Sequence, residues 1–155
     1  MFLILIVLVM FVCPAISIIA EILFYRPATS FLLVAGKWFV FWGVGVRLLT
    51  AGIRQALQPQ FTAQSIFGIT DTHALAPVRE LGFANLSLGL LGICSLWNPA
   101  WAVPSAITGG LFYGCAVFQH LLRKGKNATE NAATISGLFL LLVLIAYLAG
   151  VACRS

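Results

Sequence analysis

The first 25 residues, MFLILIVLVMFVCPAISIIAEILFY, carry one charge, Glu21. A run this long and this apolar leaves few choices. In lipid every backbone N–H and C=O must be paired within the protein, so only helices and closed barrels cross a bilayer. Barrel strands are about 9–11 residues long and alternate apolar with polar side chains; this run does not alternate. In water it would need burial from all sides, and the rest of the chain cannot supply that. The sequence is 61% hydrophobic and 8% charged, against about 25% charged in soluble domains. A domain of 155 residues leaves much of its surface exposed. Lipid is the solvent that fits. A cleaved signal peptide would begin with positive charge and hold an apolar stretch of about 7–15 residues. The run has neither property and is expected to remain as a membrane helix, kinked at Pro14.

A helix needs about 20 largely apolar residues to span a bilayer. Five stretches meet that measure, at about residues 2–24, 31–56, 80–97, 100–122 and 132–152. The expected fold is therefore all-α: one domain over residues 1–155, an integral membrane bundle of five transmembrane helices. WNPA at 97–100 predicts a tight turn, because proline disfavours helix at the residue before it. The third and fourth helices are then antiparallel neighbours. Residues 57–79 hold Phe61, Ile66, Phe67 and Ile69 between Pro59 and Pro77. That is too apolar for a freely solvated loop and predicts an interfacial segment, on the membrane surface or folded against the bundle, with a bare flexible loop as the alternative.

With five spans, Arg54, Arg79, Arg123, Lys124 and Lys126 fall on the side of the N-terminus. Arg26, Lys37 and Arg154 fall on the other. The basic excess predicts the N-terminus in the cytoplasm and the C-terminus outside. The net charge of +5 thus speaks to orientation; no basic run interleaved with aromatics points to nucleic acid. Cys13, Cys94, Cys115 and Cys153 form no CxxC pair and read as small hydrophobes. No metal site, phosphate loop or nucleophile elbow is present, and no residue is assigned a catalytic role.

Polar residues inside apolar helices mark sites. On the second helix Gly36, Val40, Gly43, Arg47, Thr50 and Arg54 share one stripe. Arg47 is about two turns inside the span, where a charge must face the bundle interior and find a partner. On the third helix Gly82, Asn85, Gly89 and Gly92 form a small and polar face suited to close packing. On the fourth, Ala106, Gly110 and Gly114 form a small-xxx-small ladder, a packing signal that says nothing of ligands. VRELGFANL at 78–86 puts Glu80 at the mouth of the third helix and Asn85 inside it. Arg47, Arg54, Glu80, Asn85 and His120 agree in depth, with Glu130 standing just before the fifth helix as a solvated residue. These are the expected walls of a cytoplasmic-side polar cavity, with Glu80 as counter-charge to Arg47 or Arg54. At the other face Glu21 and Lys37 are placed to form a structural ion pair.

Arg47 with AGIRQ (51–55), Pro59, FTA (61–63), ELGFANLSLGLLG (80–92), GGLFYG (109–114), His120 and NAA (131–133) resemble an uncharacterised family of small bacterial membrane proteins, distantly similar to the DoxX-like group. The resemblance covers about residues 37–147. It implies a four-helix DoxX-like core with an additional N-terminal helix, in a bacterial cytoplasmic membrane. Some relatives are membrane subunits of quinone-linked sulfur oxidation systems. Two function classes follow. In one, the cavity binds an amphiphile such as a quinone or lipid, with the chain a possible subunit of a redox system. In the other, the chain is a non-catalytic accessory subunit in a larger membrane complex or a homo-oligomer. No cofactor is evident from the residues themselves.

Overall fold

The computed structural model describes residues 2–126 and 128–154. Among them every regular element is helical. Four helices are long and apolar enough to cross a membrane: Ile4–Tyr25, Phe31–Leu57, Pro99–Leu122 and Ala128–Ala152. A fifth long helix, Leu75–Cys94, has 20 residues; Arg79, Glu80, Asn85 and three glycines make it the least apolar. In chain order these are α1, α2, α3 (Leu75–Cys94), α4 and α5. Where five spans are expected, five long helices are present, and four of them have the length and composition of a span.

Two of them contain π turns. α1 widens into a π turn at Leu8–Val12, directly ahead of Pro14. Proline has no N–H to give and crowds the carbonyl four residues back; a wider turn relieves both. α2 widens at Val40–Val46, a segment that includes Gly43 and Gly45. There the N–H of Arg47 bonds the carbonyl of Trp42, five residues back. α1 stops at Arg26, held at φ 42° ahead of Pro27, and α2 stops before Pro59, as residues preceding proline leave the helical region.

α2 is the central element. Gly36 and Gly43 sit against Tyr147 and Leu140 of α5. Gly45, Gly52 and Leu49 sit against Gly92, Gly82 and Gly89 of α3. A Cβ at Gly89 would stand 2.4 Å from the backbone nitrogen of Leu49, and one at Gly92 would stand 2.5 Å from that of Gly45. α2 and α3 are therefore in backbone contact, which only glycine permits. The pairing runs from Gly92 beside Gly45 to Gly82 beside Ala56, so the helices are antiparallel. It also means that α3 ends beside the middle of α2 and begins beyond its C-terminal end. The core joins Met10, Val44, Leu48, Ala106, Tyr113, Leu140 and Leu144, and the Tyr113 hydroxyl donates to the Gly43 carbonyl at 2.7 Å.

The glycine ladder of α4 is different. A Cβ at Gly110 would meet nothing within 4 Å, and one at Gly114 only Leu141 side-chain carbons at 3.8 Å. The expected close packing at Gly110 is absent: it lies in an open apolar groove beside Leu141 and Ile145 on the outer face. Gly109, one residue away, is the packed one, against Val44.

Residues 58–74 fold into short turns, Pro59–Phe61, a π turn Thr62–Ile66 and Thr72–Ala74. Thr62 and Ala63 are buried against the bundle. Helices α3 and α5 begin earlier than expected. α3 takes in Pro77 as part of its first turn, where a missing N–H costs nothing. α5 starts at Ala128 rather than about residue 132, which places Glu130 in its first turn.

Candidate functional site

One end of the bundle encloses a cavity of about 570 Å³. α1 contributes Leu5 and Val9, and α2 contributes Arg47, Leu48, Arg54 and Gln55. Thr62, Ile66 and Phe67 of the connecting segment cover it. α3 adds Leu81 and Asn85, α4 adds Phe112, Tyr113, Ala116 and His120, and α5 adds Gly137. The volume lies within the range of about 300–1,000 Å³ found for small-molecule sites.

Arg47 follows the π segment of α2. Its Nη2 donates to Ser136 Oγ at 2.8 Å and its Nη1 to Met10 Sδ at 3.3 Å. The guanidinium carbon lies 5.1 Å from the centroid of the Tyr113 ring. All three partners are neutral, and no carboxylate is in ion-pair range of Arg47 among the described residues. Arg54, two turns on, lies 3.7 Å from the Phe61 ring centroid and likewise has no carboxylate in range there. Asn85 Nδ2 donates to Gln55 Oε1 at 2.7 Å. Its Oδ1 has no hydrogen-bond partner among the described residues, although Asn85 is 2% exposed. A buried amide oxygen left unpaired is costly, and in folded proteins such an atom is met by an ordered water or a bound group.

Glu80 is elsewhere. It is exposed at the outer side of α3 and makes no ion pair among the described residues. The expected pairing of Glu80 with Arg47 or Arg54 does not form, because α3 turns its Gly82–Asn85–Gly89 face to α2 and Glu80 off that face. The buried carboxylate is Glu130, at 1% exposure. His120 Nδ1 lies 2.9 Å from Glu130 Oε1, and Arg123 Nη1 lies 3.6 Å from the same oxygen. The His120 ring is stacked with Phe67, centroids 6.3 Å apart, and Arg123 donates to the Phe67 carbonyl. This cluster pins the connecting segment over the cavity. Far away, at the other end, Lys37 pairs with Glu21, and Trp38 Nε1 donates to Glu21 Oε2 at 2.6 Å.

The structure thus brings Arg47, Arg54, Asn85 and His120 to one cavity and leaves Glu80 out. Residues 1–154 match the model of a family of unknown function, DUF6790. The chain belongs to the DUF6790 family. No curated protein and no solved structure matches it. The match runs through every helix that lines the cavity and through the segment that covers it.

Sequence reasoning missed Gln55, Ser136, Tyr113 and Phe67. Gln55 had a signal: an amide inside an apolar helix needs a partner of its own kind, and AGIRQ holds the amide at matching depth. The burial of Glu130 had one too. In the sequence, Asn127 with Glu130 three residues later is a helix-start signature, which would count the carboxylate within the helix. Ser136, in an otherwise apolar helix, carried none.

Proposed function

We propose that this chain is a membrane protein that binds an amphiphile such as a quinone or lipid in the cavity at one end of its bundle. The observation that carries the reading is Asn85 Oδ1, a buried acceptor without a partner among the described residues, in the wall of the same apolar cavity as the carboxylate-free Arg47. Such a site offers oil to a tail and polar groups to a head. α4 lends Leu111 and Cys115 to the wall, and both are exposed. The cavity therefore reaches the outer surface within the apolar belt, where an amphiphile can enter sideways.

We also propose that α3 and the turn after it complete a fifth pass. α1 and α5 begin at the cavity end, so the termini then face opposite sides. The basic excess favours a cytoplasmic cavity end, and the resemblance of the sequence favours a bacterial cytoplasmic membrane.

The test is mass spectrometry of molecules extracted from the protein purified in mild detergent. The expected result is a stoichiometric amphiphile that is lost in Ala116→Trp, which fills the cavity. A second reading, a non-catalytic accessory subunit, is favoured by the open groove at Gly110, into which a partner helix could pack. A stoichiometric membrane protein that co-purifies with wild type and Ala116→Trp alike, with no small molecule, supports that reading instead.

A further inference from the structure

The cavity's own chemistry narrows what it holds. We infer that the head of the ligand is an anion that also bears a hydroxyl, as in an acidic phospholipid with a polyol headgroup; this rests on the amphiphile-binding reading above.

Charge is the first argument. The sequence has four acidic residues. Glu21 is held at the far end by Lys37, and Glu130 is engaged by His120 and Arg123. Asp71 and Glu80 are exposed. The cavity wall therefore carries Arg47 and Arg54 with no carboxylate of this chain set against either among the described residues. Arg47 spends donors on a hydroxyl and a thioether, which leaves N–H groups for another acceptor. A phosphodiester matches the guanidinium fork and supplies the missing charge. A neutral quinone supplies none.

The second argument is the sense of the unmet hydrogen bond. Asn85 Oδ1 is an acceptor and needs a donor. A quinone carbonyl or a bare phosphate diester cannot donate; a hydroxyl can. Gln55 accepts from Asn85 Nδ2, which leaves the oxygen as the atom without a partner among the described residues.

The third is the exit for a tail. Leu111 lines the cavity and is 65% exposed, in an outer surface of leucine, isoleucine and phenylalanine. A soluble phosphate compound has no use for that opening.

The experiment is native mass spectrometry of the full chain in neutral detergent. It is titrated in turn with phosphatidylglycerol, phosphatidylmethanol, phosphatidylcholine and a long-chain ubiquinone. Phosphatidylmethanol keeps the charge and lacks the hydroxyl. The expected order of retention is phosphatidylglycerol, then phosphatidylmethanol, then phosphatidylcholine, with about tenfold between first and last, the size of one charge-assisted contact. Arg47→Gln removes the preference for the anionic lipids. Arg54→Gln weakens it, and serves if Arg47→Gln fails to fold. Asn85→Leu, similar in volume, abolishes the gap between phosphatidylglycerol and phosphatidylmethanol and leaves the gap to phosphatidylcholine. Equal retention of phosphatidylcholine, or a preference for the quinone, overturns the headgroup assignment while the amphiphile reading stands. Retention of none of the four overturns both. Displacement of the lipid by an equal concentration of free glycerol phosphate overturns the part assigned to the tail.

Discussion

Glu130 ties three parts of the molecule together: its own helix α5, His120 at the end of α4, and, through Arg123, the segment that covers the cavity. Removing its charge leaves a partly buried imidazole and an exposed guanidinium without their charged partner. Glu130→Gln is expected to lower stability by about 2 kcal/mol, since one partner of a buried charged network is lost while some hydrogen bonding remains. Glu80→Gln is expected to leave the unfolding midpoint unchanged. Thermal unfolding of both variants in one detergent checks the pair, and equal effects would sink the assignment of the buried carboxylate to Glu130. The sequence points the other way, with Glu80 as the pairing residue. Arg47, Asn85 and His120 were legible because a polar group inside an apolar helix must face inward, whatever its neighbours are. Which carboxylate is buried was not, because that depends on where a helix begins. Four residues of extra helix turn Glu130 from a loop charge into a core one.

Helices α2 and α3 are held by absence of side chains. Gly89→Ala puts a carbon where the Leu49 nitrogen already stands, and a backbone cannot step aside as a side chain can. It is expected to cost about 3 kcal/mol, the upper part of the overpacking range. Gly110→Ala meets open space and is expected to be neutral or to gain up to about 1 kcal/mol from better helix propensity. Detergent melting curves of the two variants decide it: a loss at Gly110 as large as at Gly89 would mean that α4 uses its ladder against another chain. The glycines of α3 were readable as a packing face from spacing alone. Gly110 and Gly114 show the same spacing and do no such work here. Spacing says which residues share a face, and only the neighbour's position says whether anything is there. Helix ends were missed for a similar reason: Pro77 reads equally as a breaker or as part of a first turn, and tertiary packing chooses.

For the molecule as a whole, the proposed fifth pass would put the two ends of the chain on opposite sides of the membrane, and the basic excess at the cavity end predicts that this end faces the cytoplasm. In a Cys13→Ala, Cys94→Ala, Cys115→Ala background, Cys153 is the remaining thiol and is exposed. An impermeant maleimide is expected to label it on intact cells from outside; labelling only after lysis would reverse the polarity or change the number of passes. Every long helix touches α2, which shows α5 its Gly36–Gly43–Arg47 side and α3 its Gly45–Gly52 side. Its π turn at Val40–Val46 carries Gly43 of the one side and Gly45 of the other. A π turn holds one residue more than an α turn, so it acts as a phase shift set into the rod. Deleting a single residue there would turn everything downstream by about 100°. Arg47, Arg54 and Gln55 would swing away together, while each kept its place on its own helix. The cavity is in that sense timed by one residue that never touches it.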